Sequence, residues 1–389
     1  MSRLRNVLFG CAVFVSLDIG AAQILKHTSV WNSDAVERRY RKPVSPYHHG
    51  LAENVNLMGQ WGSIRYPVRT NSLGFRDAEV RTIPLRAAGP RVVLIGDSFT
   101  EGLGVPYPDT YAGILDHCLG RSGLQVLNAG VMSYSPSIYY RKLKYLLEDI
   151  RLQIDYVVVA IDLSDIRDEA HLYQLDSLGN VVSRPSQAKL LSLLKRNSLL
   201  LHVADLVRDA ARARWADPAR DTDWTEDPRA YEEHGAKGLA LAAARMDQLL
   251  SLLRDRRIGL AVIVYPYPNE ILRRDSSSAQ VRFWGSWTAT RGVPFFNLFP
   301  VFMRSPSAAT VLANDFIPHD VHWSARGHRL VAETLLAAGL ADTIRMQLSR
   351  TELSRGEAPT RPQGAAFSRS SGTQPDSGRS HGECESPGQ

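Results

Sequence analysis

The chain is poor in cysteine and lacks the motifs that would hold a nucleotide phosphate or a catalytic metal. Cys11, Cys118 and Cys384 are its three cysteines, scattered and odd in number, which gives neither a disulfide framework nor a CxxC pair. No glycine is followed by lysine, so a P-loop is excluded, and HExxH is absent. Gly102-Leu103-Gly104 lacks the third glycine of a dinucleotide fingerprint. His48-His49-Gly50 has no partner cluster and reads as a surface loop rather than a metal pair. No metal and no cofactor are therefore expected. The net charge of +6 is spread along the chain without a dense basic block among aromatics, which argues against nucleic acid as a partner.

What is present is ordinary globular composition, 44% apolar and 22% charged over 389 residues, enough for one large core with appendages. At the amino end, Arg3 and Arg5 precede an apolar run from Val7 to Leu25, close to the ~20 residues of a spanning helix. Residues 1–27 are expected to be a signal anchor or signal peptide, with Gly20-Ala21-Ala22 offering small residues for cleavage. Asp18 within the run, and Arg38, Arg39, Arg41 and Lys42 after it, favour the other reading, a buried amino-terminal helix. Residues 28–90 form an extension with no βαβ pattern, only an edge strand and a turn in "YPVRTNSLGFRD". Residues 348–389 are rich in Ser, Gly, Pro and Arg and are expected to be disordered.

Between these ends, residues 91–347 alternate as an α/β domain with a parallel central sheet should. Strands are predicted at 91–95, 125–127, 155–161, 260–264 and 294–298, and helices at 109–119, 137–150, 231–256 and 324–347. Residues 171–229 interrupt the rhythm, with a hairpin in "LDSLGNVVS" and a helix over 188–214, and are expected to form a cap insert. Polar residues follow successive strands: Asp97-Ser98, Asn128 and Gly130, Asp162-Ser164-Asp165, and His319-Asp320-His322. Parallel strands deliver their carboxyl ends to one rim, so these groups can converge. One GxSxG match, at 378–382, lies in the polar tail without the strand and helix a nucleophile elbow needs.

The chain resembles the SGNH (GDSL-type) hydrolase superfamily over roughly residues 65–345. The first block reads Gly96-Asp97-Ser98-Phe99-Thr100-Glu101-Gly102, and Gly130 in "NAGVMSYSP" matches the second. The third, normally Gly-x-Asn-Asp, reads Asp162-Leu163-Ser164-Asp165. The fifth, normally Asp-x-x-His, reads Asp320-Val321-His322-Trp323, a spacing similar to the branch with alginate-type O-acetyltransferases. "TNSLGFRD" and "YPYP" also resemble SGNH proteins associated with bacterial polysaccharide synthesis. The resemblance implies a three-layer α/β/α sandwich.

It also implies Ser98 as nucleophile, His322 as base and Asp320 as the group orienting it, with Gly130 and Ser164 in the oxyanion hole. Asp97, Asn128, Asp162, Tyr265 and Trp323 are candidate wall residues. In extended backbone, residues two apart face the same side, so Asp320 and His322 could both face the rim. The expected function is a serine esterase acting on an O-acyl, chiefly O-acetyl, ester of a carbohydrate or lipid. It is expected on the periplasmic or extracellular side, tethered to a membrane by the amino-terminal helix. An O-acetyltransferase acting on exopolysaccharide, or a non-catalytic carbohydrate-binding protein, would use the same scaffold.

Overall fold

The computed structural model describes residues 2–25, 39–184, 197–204, 207 and 223–355. Two antiparallel hairpins occupy the extension: β1 (Arg41–Val44) with β2 (His48–Leu51), and β3 (Asn56–Trp61) with β4 (Ile64–Arg69). The parallel sheet follows, from β5 (Arg91–Ile95), β6 (Gln125–Asn128), β7 (Tyr156–Ile161), β10 (Gly259–Val264) and β11 (Phe295–Asn297). Its order is β11-β10-β7-β5-β6. Every residue of β5, β7 and β10 is buried, as expected for β-branched runs covered on both faces.

The order fixes the layers. The connection from β5 to β6 runs one way across the sheet, and those from β6 to β7, β10 and β11 run the other way. Right-handed crossovers therefore put α3 (Tyr111–Gly120) on one face and α4 (Pro136–Glu148), α6 (Ala236–Arg254) and α7 (Ala279–Arg291) on the other. Helix α8 (Ala325–Ala337) packs on α3 and completes the first face. This is the three-layer α/β/α arrangement. The loops after β5 and β7 leave toward opposite faces, which opens a crevice between them at the sheet's carboxyl edge. Helices α2 (Ser98–Glu101) and α5 (Leu163–His171) begin there.

Between α5 and α6 lies the hairpin of β8 (Tyr173–Leu175) and β9 (Val181–Ser183), at "LDSLGNVVS". Of the helix expected over 188–214, only 197–204 and 207 fall among the described residues. The single closing helix of the sequence reading is two, α8 and α9 (Leu340–Arg355), because Gly339 takes a left-handed φ of 81° that ends the first. Helix α9 also carries ordered structure past residue 347, and the tail beyond residue 355 lies outside the described residues. Cys118 is disulfide-bonded, a pairing that the odd and scattered cysteines did not indicate.

The amino-terminal segment is a helix, α1 (Ser2–Leu25). Phe9, Phe14, Leu17 and Ile24 are exposed on it, and Asp18 accepts a hydrogen bond from the Leu200 N–H at 2.8 Å. Among the described residues no helix is long and apolar enough to cross a membrane. The side chains at positions 7, 8, 11 and 12 of the expected anchor lie outside the described residues.

Candidate active site

The nucleophile block is shaped by two close approaches. A Cβ on Gly96 would lie 2.2 Å from Thr100 Oγ1 and 3.0 Å from the Ala160 carbonyl, so only glycine lets α2 fold back onto the strand end. A Cβ on Gly130 would lie 2.6 Å from Thr100, so the loop after β6 presses against the same helix. Asp97 caps α2 by accepting the Phe99 N–H at 3.0 Å. Ser98, the first residue of α2, is buried at 8% exposure, and its N–H is among those a helix start leaves without an intrahelical acceptor.

Ser98 Oγ lies 2.8 Å from His322 Nε2, and His322 Nδ1 lies 2.5 Å from Asp320 Oδ1. Residues 224 positions apart in sequence thus form one hydrogen-bonded chain. The Asp-x-His spacing works through a turn and not through the extended backbone expected from sequence. Asp320 N–H donates to the Ile317 carbonyl, Ile317 N–H donates to the His322 carbonyl, and Phe316 pairs with Trp323 at the base. His319 takes a φ of 61° in this turn and is exposed. Within the turn the Asp320 carboxylate also accepts the His322 N–H at 2.9 Å, which fixes the ring beside it. His328 is buried, accepts the Tyr111 N–H through Nδ1, and is pushed down to about 3 by burial, so it is a neutral structural residue.

Trp61, which no sequence signal singled out, completes this arm. It stands at the end of β3 in the extension and donates its indole N–H to Asp320 Oδ2 at 2.8 Å, with its ring edge-on to His322. Burial opposes ionisation of Asp320, but the hydrogen bonds and charge of His322 and the Trp61 N–H outweigh it and hold the carboxyl below its ordinary value. The extension is anchored nearby by Arg41, which pairs with the fully buried Glu101 at 2.8 and 2.9 Å. Glu101 in turn accepts the Met132 N–H. His49 is mostly buried and hydrogen-bonds to the Met132 carbonyl and to His48, which contacts Ser183, so this pair is a packed bridge rather than a surface loop.

The expected oxyanion donors are turned elsewhere. The Gly130 N–H donates to Asn128 Oδ1 at 3.0 Å, while Asn128 Nδ2 donates to the Thr100 carbonyl, so Asn128 is a fully buried brace and not a wall residue. Ser164 hydrogen-bonds to Asp162 through both its N–H and its side chain, because Asp162 caps α5. The Ser98 N–H, at the start of α2, makes neither of these contacts. Trp323 is also no wall residue: it is 1% exposed and packs beneath the site against Phe99, Tyr265 and Phe302.

Behind Ser98 sits a second carboxylate group. Asp97, Asp162 and Asp165 are all buried, with oxygens within 4.8 Å of one another. Tyr265 donates to Asp97 at 3.1 Å, Tyr267 to Asp162 at 2.7 Å and Tyr139 to Asp165 at 2.8 Å. Two full charges at 4.8 Å repel by roughly 3 kcal/mol at an effective dielectric of about 20. Burial, reinforced by that repulsion at Asp162 and Asp165, pushes all three upward, Asp162 and Asp165 well above the ordinary carboxylate value.

No family model matches the chain, and no curated protein matches it. Among solved structures it is similar to a member of the lipolytic G-D-S-L protein family from Veillonella parvula, at 13% identity, covering 64% of this chain and 97% of that one with a TM-score of 0.36. It is also similar to an acetylxylan esterase from Geobacillus stearothermophilus, at 15% identity, covering 65% of this chain and 95% of that one, again with a TM-score of 0.36.

Proposed function

We propose that the protein is a serine ester hydrolase in which Ser98 is acylated, acting on an O-acyl group, chiefly O-acetyl, of a carbohydrate or lipid. The observation that carries the reading is the continuous chain from Ser98 Oγ through His322 to Asp320, with each link at hydrogen-bond distance. Ser98 Oγ attacks the acyl carbon as His322 Nε2 takes its proton. The tetrahedral oxyanion forms beside the Ser98 N–H, and the C–O bond to the alcohol breaks as His322 returns the proton to that oxygen. Water, deprotonated by His322, then attacks the acyl carbon, and its bond to Ser98 Oγ breaks as His322 returns the proton to that oxygen and the acid is released. Asp320 stays ionised throughout, held by Trp61, and stabilises the imidazolium.

The deciding experiment incubates the protein with p-nitrophenyl acetate, with and without oligosaccharide acceptors. Free acetate in both cases is the expected result. Acetylated sugar would make the protein an acyltransferase through the same acyl-enzyme, and no turnover of either kind would leave a binding protein. A fluorophosphonate probe should label Ser98, and labelling that survives Ser98→Ala would sink the assignment.

We extend the proposal to a protein exported or held at a membrane by α1, so that it meets its substrate outside the cytoplasm. Its support is the apolar run after Arg3 and Arg5 and the exposure of Phe14, Leu17 and Ile24. A periplasm-dependent reporter fused to residues 1–30 should be active, and a reporter that stays silent contradicts the extension.

A further inference from the structure

Ser98 has two acceptors for one hydroxyl proton. His322 Nε2 lies at 2.8 Å and Asp97 Oδ2 at 3.1 Å. An ionised Asp97 would compete for that proton, and it would place a negative charge beside an oxygen that must become more negative to attack. The surroundings of Asp97 bear on which form it takes. From α2 it receives the Phe99 N–H, and from the loop after β10 it receives the Tyr265 hydroxyl. From α5 it faces Asp162 and Asp165, themselves met by Tyr267 and Tyr139 hydroxyls and by backbone N–H groups of Ser164 and Asp162. His322 reaches the group only through Ser98.

Among the described residues no Lys, Arg or His forms an ion pair with any of the three carboxyls. Asp165 Oδ1 is fully buried and has no hydrogen-bond partner at all, a costly place for a carboxylate oxygen and a far less costly one for a neutral acid. Hydroxyl and amide donors and a contact between Asp162 and Asp97 share the hydrogen bonding, and no cationic side chain among the described residues balances a charge of minus three.

We propose that Asp97, Asp162 and Asp165 form a proton-holding cluster in which Asp97 is a neutral acid in the resting protein, so that the Ser98 proton is left to His322. Asp97 is then a positioning residue: it acts through the direction of the Ser98 O–H bond. Burial pushes all three groups upward, and repulsion adds to it at Asp162 and Asp165. The consequence for rate rests on the esterase reading; the protonation itself does not.

The test is infrared spectroscopy of the full chain labelled with ¹³C-aspartate at neutral pH, together with metal analysis of the purified protein. A protonated-carboxyl band is expected in the wild type, reduced in Asp97→Asn and in Asp162→Asn. Absence of the band, or a stoichiometric divalent cation balancing three ionised carboxylates, overturns the proposal. In kinetics with p-nitrophenyl acetate, Asp97→Asn, which imitates the neutral acid, should stay within about tenfold of wild type, while Asp97→Ala should lose about 10²-fold or more in kcat with little change in KM. A folded Asp97→Asn protein as inactive as Asp97→Ala would mean that Asp97 acts as an anion, which again overturns it. If the wild type has no esterase activity, the infrared result still decides the protonation, so the two readings fail separately.

Discussion

Two carboxylates flank the same serine by different routes and are pushed in opposite directions. Asp320 reaches Ser98 through His322, sits toward the surface, and collects three donors, the His322 N–H, the His322 ring and the Trp61 indole. Its carboxyl is held down. Asp97 touches Ser98 directly, lies 2% exposed, and has two more carboxyls as neighbours. Its carboxyl is pushed up. The contrast teaches that residue type does not assign a role. The charge of the neighbours and the depth of burial do, because each carboxylate here meets three donors while only Asp97 is fully buried among other carboxyls.

The largest effects should come from breaking the anionic arm. Ser98→Ala and His322→Ala should each abolish turnover with folding intact, and Asp320→Asn should lower kcat by on the order of 10³–10⁴. A folded His322→Ala protein that retains esterase activity would remove His322 as the base. A smaller effect should follow from Trp61→Phe, which keeps an aromatic ring beside His322 and deletes one donor to Asp320. A loss of about tenfold is expected, with the acidic limb of the pH–rate profile moved upward as Asp320 becomes less acidic. An unchanged profile would reduce Trp61 to packing.

The comparison also predicts opposite slopes of stability with pH. Asp320 is depressed on folding, so its contribution is present above its ordinary value and lost as pH falls through the folded one. Urea midpoints of Asp320→Asn and wild type should therefore differ at neutral pH and converge in acid. Glu270 is the mirror case outside the site. Burial pushes it up to about 8, so its stabilising effect is present below the ordinary glutamate range and is lost as pH rises to that value. Glu270→Gln should consequently gain stability over wild type at about pH 9, on the order of 1–3 kcal/mol, and the gain should shrink toward acid. A gain of the same size at every pH would point to packing instead of ionisation.

Much of the scaffold was legible because local chemistry dictates it. The β-branched runs that became β5, β7 and β10 could be buried only on both faces, and the polar residues after them necessarily meet at one rim. Ser98, His322 and Asp320 were singled out through the resemblance of their sequence blocks, and the structure brings them to hydrogen-bond distance. Gly130 and Ser164 are engaged by local contacts two residues away, from Asn128 and Asp162, whereas the burial of Trp323 is set by distant rings. The extension was the least legible part, since short hairpins with mixed exposure carry no strong periodicity.

The amino-acid sequence by itself determined the parallel sheet, its helices and the residue types delivered to its carboxyl edge, because strand burial and turn chemistry are local constraints. Only the tertiary structure decided that Trp61, from a hairpin 259 positions away, holds Asp320. It alone decided that Asp97, Asp162 and Asp165 share one buried volume. Hydrogen-bond direction and charge state depend on which groups meet in space and how far water is excluded, and neither quantity is written in residue spacing.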